Sequence, residues 1–217
     1  MGIYSRSHGE KTQLVKKLIG RKRFSFGDIY VHGHNIKMNT RLSQLTLGFS
    51  PTGIRDFEDF TPRQLFSLFL MIRGVHKSKF KQVIANLCSF LNLTPFIDKR
   101  FDNLLNYQRR KVHIALGMLV FQNVIILDEP TKGMNPVTCR QIWNIINFYR
   151  YCGKCILITT SESRECFKIC DDLIIYEEGE MMAKSSGEVL LGKYVHGLYL
   201  EIKLMREGST REEVEKK

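Results

Sequence analysis

"NVIILDEPTKGMNP", residues 123–136, runs four apolar residues straight into two carboxylates, then a proline and a glycine-containing turn. An apolar run without alternation reads as a strand covered on both faces. Asp128 and Glu129 then stand at the strand's mouth, where one carboxylate suits a metal ion and its neighbour suits a water molecule. The competing reading is a solvated turn. What the rest of the chain supplies decides between them.

Working outward, strands and helices alternate. Upstream, "YQRRKVHIALGMLVF" is a helix leading into the strand. Downstream come a helix over 137–150, the strand "CILITT", a helix over 162–170, the strand "DLIIYEEGEMM" and a last strand "YLEIKL". From Thr61 to Leu93 the pattern turns helical: "TPRQLFSLFLMIRGV" offers a Thr cap, Pro at the first helical position and apolar residues at three-to-four spacing. "KSKFKQVIANLCSFLNL" repeats it. Near the start, Ile3 and Tyr4 end a strand, "KTQLVKKLIG" forms an amphipathic helix closed by Gly20, "FGDIYVHGHNI" makes short strands around a Gly-Asp turn, and "LTLGFSP" is a strand closed by Pro51. This order predicts an α/β fold with a parallel sheet flanked by helices. No internal repeat or low-complexity linker interrupts it.

The 217 residues, 43% hydrophobic and 25% charged, have ordinary globular composition. No apolar run approaches the ~20 residues of a bilayer crossing, and the opening "MGIYSRSHGEKTQ" lacks a secretory apolar core. A net charge of +11 favours an anionic partner (nucleotide, nucleic acid or a lipid headgroup surface) or a solvated basic face. No aromatic platform or helix-turn-helix spacing accompanies the charge, so nucleic acid is not the expected partner. Cys152 and Cys155 form a CxxC, and Cys166 and Cys170 lie at helical i, i+4 spacing; these read as reduced, mostly buried thiols rather than a zinc site.

The first strand-to-helix turn, "SRSHGEKT", places Lys11 and Thr12 where a P-loop places its phosphate lysine and magnesium hydroxyl. Its glycines are largely gone. Ser5, His8 and Glu10 occupy positions that ordinarily take Gly, and Gly9 alone remains. A Glu10 carboxylate beside phosphate oxygens repels them by about 1 kcal/mol in water and ~4 nearer a protein surface, a roughly ten- to thousandfold loss of affinity unless it turns toward Lys11 or Arg6.

Together these pieces resemble the nucleotide-binding domain of ABC transporters, and within it the A subfamily associated with lipid export, from about Gly2 to Leu204. "VIILDEPTKGMNP" resembles the Walker B strand and D-loop, "QRRKVHIALGML" the helix after the signature motif, "TPRQLFSLFLMIRGV" the start of the helical subdomain and "YLEIKL" the closing strand. The resemblance implies a P-loop NTPase-like sheet with a helical subdomain inserted over 55–105, a missing or reduced N-terminal antiparallel β subdomain, a cassette over 1–205 and a charged tail over 206–217. It implies that Gly9, Lys11 and Thr12 hold ATP phosphates, that Thr12 and Asp128 hold magnesium, and that Glu129 is the general base. It further implies a second cassette and transmembrane domains as partners, on the cytoplasmic side of a membrane, with any membrane contact peripheral and through those partners.

Other family positions are replaced. Thr52 stands for the Gln that senses the γ-phosphate, Ser161 for the switch His and Asn135 for the D-loop Asp. Leu105, Asn106 and Tyr107 stand for the signature Ser-Gly-Gly, with Gln108 kept. The expectation is therefore a degenerate cassette with weak ATP–Mg binding and impaired or absent hydrolysis. Two alternatives stay open: an ATPase half active only with a partner cassette, and a nucleotide-independent scaffold. Because the chain starts at the P-loop strand, that strand is expected to lie short of neighbours, near a sheet edge.

Overall fold

The computed structural model describes residues 1–53, 57–119, 122–162, 166–167 and 169–194. Its main sheet has six strands: β1 (Gly2–Tyr4), β4 (Leu47–Ser50), β5 (Val124–Asp128), β6 (Cys155–Thr160), β7 (Leu173–Glu177) and β8 (Glu180–Ser185). They lie in the order β4-β5-β6-β1-β7-β8. All neighbouring pairs are parallel except β7 with β8. The expected edge position of the first strand is wrong: β1 pairs with β6 on one side and β7 on the other, and the edges fall to β4 and β8.

Why the strands read as unbroken apolar runs is visible in their packing. Ile125 and Leu127 of β5, with Ile156 and Ile158 of β6, face one core; Ile126 and Leu157 face another. Successive residues of a strand point to opposite faces, so burial of both faces removes any polar alternation. The first core is shared with helices α3 (Pro62–Ile72), α4 (Phe80–Leu91), α5 (Asn106–Met118) and α6 (Pro136–Tyr151). The second core is closed by α1 (His8–Leu18) and by the small hairpin of β2 (Tyr30–Val31) and β3 (His34–Asn35).

Local chemistry sets the ends. In α3 the Thr61 hydroxyl accepts from the Gln64 N–H and the Gln64 side chain accepts from the Thr61 N–H, a reciprocal capping box with Pro62 at the first turn. Gly20 ends α1 at φ +71°, donating to the Lys17 carbonyl while Arg21 donates to that of Lys16, the Schellman arrangement. Helix α5 lies on edge strand β4 with backbones almost touching. A β-carbon at Gly48 would fall 2.1 Å from the Gly117 carbonyl oxygen.

Several elements depart from the sequence reading. A helix α2 (Thr40–Leu45) precedes β4, where only a strand is expected. "DLIIYEEGEMM" is the β7–β8 hairpin, not one strand; Glu178 and Gly179 turn it with φ of +52° and +84°. The small hairpin likewise turns at His32 and Gly33, at φ +49° and +80°, and not at Gly27-Asp28. Helix α7 (Gly187–Tyr194) follows β8. The expected helix over 162–170 falls partly, and the "YLEIKL" strand and charged tail wholly, outside the described residues. The six cysteines are free thiols, but only Cys88 and Cys166 are buried; Cys152 and Cys155 are exposed at the turn from α6 into β6.

Candidate functional site

The C-terminal ends of β1, β5 and β6 converge on one spot, which is where an open parallel sheet presents its loops. From β5 come Asp128 and Glu129, both buried. Glu129 sits at φ +51°, a left-handed conformation costing a non-glycine residue about 1–3 kcal/mol. Its neighbours hold it there. The Glu129 N–H donates to the Thr159 carbonyl at 2.9 Å, and the buried Arg110 of α5 donates to the Asp128 carbonyl at 2.6 Å and the Glu129 carbonyl at 2.9 Å. The same guanidinium reaches the carbonyls of Pro51 and Thr52, the latter at 3.1 Å. Burial pushes the Arg110 pKa down to about 10, against the opposing pull of Asp128 and Glu129.

The strained turn aims Glu129 at the first loop. Lys11 Nζ lies 2.8 Å from Glu129 Oε1, with side chains 0% and 2% exposed. Ser161 closes the group: its hydroxyl donates to Glu129 Oε1 at 2.5 Å and accepts from Lys11 at 3.1 Å, and its N–H donates to Oε2 at 3.2 Å. Lys11 also donates to the Ser5 carbonyl. Burial pushes the Glu129 carboxyl up, but hydrogen bonds from Lys11 and Ser161 and the Lys11 charge outweigh it and hold it below the usual range.

One residue along each element, the pattern changes. Asp128 accepts from the Thr52 hydroxyl at 2.6 Å and from the Thr159 hydroxyl. Thr12 Oγ1 is shielded from solvent with no hydrogen-bond partner among the described residues. Thr12, Asp128 and Thr52 line one cavity of about 320 Å³, with Pro51, Lys16 and Arg21 on its walls. An unpartnered hydroxyl and a carboxylate lining one cavity are hard oxygen donors of the kind that suit Mg²⁺ with phosphate and water completing the shell. The residues present fit that ion.

The phosphate loop fits less well. It spans only Ser5 to Ser7 between β1 and α1, and the Ser7 N–H is taken by the Ser5 hydroxyl at 3.1 Å. Gly9 faces open space, where a β-carbon would meet nothing within 4 Å. Glu10 Oε2 is shielded without a hydrogen-bond partner among the described residues, so this oxygen is not turned onto Lys11 or Arg6.

The remaining predicted positions divide. Thr52 and Ser161 join the site as above. Asn106 and Tyr107, at the start of α5, line a second cavity of about 340 Å³ with Glu129, Arg110 and Thr52. Leu105 is exposed, and its N–H donates to Gln108 Oε1 at 3.0 Å, which makes Gln108 a helix cap. Asn135 caps α6 by accepting from the Thr138 N–H at 2.8 Å. Arg110 and Thr159 escaped the sequence reading. The signal for Arg110 was its place on the same α5 stripe as Ile114 and Met118, both buried, where an arginine must have partners.

The pattern of the family described as ABC transporter matches residues 9–132, more than half of the chain. Phospholipid-transporting ATPase ABCA3 of Homo sapiens is 28% identical over 95% of this chain, which spans only 12% of that protein's length. ATP-binding cassette sub-family A member 2 of Homo sapiens is 26% identical over 98% of this chain and 9% of its own. Nod factor export ATP-binding protein I of Rhizobium sp. (strain N33) is 27% identical over 93% of this chain and 66% of its own. Among solved structures, an ATP binding subunit of an ABC transporter superposes with TM-score 0.81 at 19% identity, covering 89% of this chain and 80% of that one. CbiO1 from Clostridium perfringens, part of the ABC transporter complex cbiONQ, gives 0.77 at 19% identity over 88% and 78%. The shared sheet, the cavity at its mouth and the family pattern running through both converge on one statement: the chain belongs to the ABC transporter family.

Proposed function

We propose that this chain is the ATP-binding cassette of an A-subfamily, lipid-exporting type of transporter, with weak ATP–Mg binding and impaired hydrolysis. The cassette covers 1–205 with its helical subdomain over 55–105. It works on the cytoplasmic side of a membrane against a second cassette and transmembrane domains. The similarity to a protein described as phospholipid-transporting supports the lipid cargo.

One observation carries the impairment: the buried 2.8 Å pair of Lys11 with Glu129, bridged by Ser161. Lys11 can hold a phosphate only by giving up one of its three buried acceptors, and where that is Glu129, pulling apart a buried pair costs about 3–5 kcal/mol when one charge stays behind. Ser161 offsets part of that by keeping two hydrogen bonds on the carboxylate. While Lys11 stays on it, Glu129 is held below the ordinary carboxylate range and is a poor base, since proton abstraction is most efficient when the base titrates near the working pH. On the other side, Thr12 and Asp128 would hold Mg²⁺, whose charge neutralises phosphate oxygens when bound. Thr52 and Thr159 orient the Asp128 carboxylate for that role.

Isothermal titration of the chain with ATP and magnesium, with a phosphate-release assay, tests this reading. Binding weaker than micromolar and no turnover by the lone chain are expected; tighter binding or steady turnover overturns it. Glu129 also borders the cavity with Asn106 and Tyr107, which favours a second reading, an ATPase half completed by a partner's signature loop. That reading fails if Glu129→Gln leaves partner-stimulated hydrolysis unchanged.

A further inference from the structure

The positive charge of this chain is not spread evenly. Between residues 11 and 53 it carries eight Lys and Arg and one carboxylate, Asp28. That carboxylate is engaged, accepting from Asn35 Nδ2 at 3.0 Å. Apart from the buried Lys11, these cations sit at or near the surface, and the chain path gathers them. The Schellman turn at Gly20 swings Arg21, Lys22 and Arg23 out of α1 toward the segment joining β3 to α2. There they meet Lys37 around a cavity of about 560 Å³, floored by Phe24, Ile36 and Thr40 and lined by no carboxylate. Lys37 is fixed in place: its ammonium stands 4.4 Å from the Phe24 ring centroid and donates to the Gly27 carbonyl at 2.7 Å. Lys22 is held by Gln13 Oε1 at 2.8 Å. Arg23 and Arg41 have no carboxylate partner among the described residues.

Large apolar side chains flank this basic basin and project into solvent. Phe26 is 92% exposed and Met38, next to Lys37, is 83% exposed. Hydration of such groups is unfavourable, and their isolated exposure beside a cluster of cations is explained by a surface that is anionic outside and apolar beneath. A polynucleotide would take the cations but offers Phe26 and Met38 no apolar layer to enter. We propose that the surface built from residues 21–45 docks directly onto an anionic bilayer, with Arg23, Lys37 and Arg41 on phosphate and carboxylate headgroups and Phe26 and Met38 in the headgroup boundary. This contact is made by the chain itself, independently of nucleotide and of any transmembrane partner.

Co-sedimentation of the full chain with phosphatidylcholine vesicles, with and without phosphatidylserine, tests the assignment. Binding only to the phosphatidylserine vesicles, falling with added salt, is expected. The triple reversal Arg23→Glu, Lys37→Glu, Arg41→Glu should weaken it by at least about a hundredfold, from roughly fivefold per cation at an anionic surface. The matched reversal Lys77→Glu, Lys79→Glu, Lys81→Glu carries the same net charge at exposed lysines outside the basin and should leave most binding intact. Phe26→Ser with Met38→Ser should lose several-fold in binding while keeping the salt slope. Equal losses in the two charge reversals would mean bulk charge and overturn the proposal. So would full binding by the Phe26 and Met38 variant together with tighter retention on single-stranded RNA, which would mark a polyanion groove, or release by inorganic phosphate at constant ionic strength, which would mark a free-anion site.

Discussion

Lys11 and Thr12 are adjacent in the chain, as are Asp128 and Glu129, yet the two pairs they form across the sheet differ. Lys11 and Glu129 satisfy each other as a buried ion pair bridged by Ser161, although Glu129 also borders the cavity at Asn106 and Tyr107. Thr12 and Asp128 border a cavity, and the threonine hydroxyl has no partner among the described residues. On the proposed reading these are the two sides of one nucleotide site: the metal side keeps an unpartnered hydroxyl, and the phosphate side has its lysine held by a carboxylate.

The comparison breaks most completely at Arg110, which holds the carbonyls of both Asp128 and Glu129. Arg110→Ala should cost about 3–5 kcal/mol in urea unfolding, because charge-assisted bonds to buried carbonyls are lost together and their acceptors stay buried. A loss below about 1 kcal/mol would mean the turn at Glu129 holds itself. Next is Glu129→Gln, which removes the charge that competes for Lys11. Binding of Mg-ADP, where hydrolysis plays no part, should tighten by about ten- to a hundredfold, a fraction of the pair's separation cost. Unchanged affinity would show that the lysine was never withheld.

Acid should act on the same pair with a fixed sign. The Glu129 carboxyl titrates below its unfolded value, so its contribution is full above the ordinary carboxylate pKa of about 4.3 and is lost as pH falls through the folded value. Urea midpoints should therefore drop less on acidification in Glu129→Gln than in the parent chain. The smallest change is expected on the other side. Thr12→Val removes an unpaired hydroxyl and should shift stability by less than about 1 kcal/mol, in the stabilising direction, while abolishing the dependence of nucleotide binding on magnesium. Retained magnesium dependence would detach Thr12 from the metal side.

What the sequence made legible was local. The Thr61-Pro62 start of α3, the Gly20 stop of α1 and the buried run of β5 follow from nearest neighbours and periodicity. The small helix α2 was not legible because its six residues carry no side-chain cap and merge into the next strand. The β7–β8 turn was missed because Glu-Gly replaces the Asn-Gly or Asp-Gly that ordinarily announces two left-handed residues in a hairpin. At the site, the identities of Lys11, Asp128 and Glu129 were readable but their partners were not. Lys11 and Glu129 are 118 positions apart by their numbers, and the strained turn that points one at the other depends on Arg110 from a third element. The central seat of β1 was likewise hidden, since strand order is set by crossovers that no local pattern records.

The near-contact of Gly48 with the Gly117 carbonyl has a mechanical corollary. Glycine on both sides lets the main chains of α5 and β4 approach closely here, so a side chain at Gly48 would push the two apart. The last turn of α5 is therefore held against β4. Any rocking of α3 and α4 relative to the strands must be absorbed at their own ends.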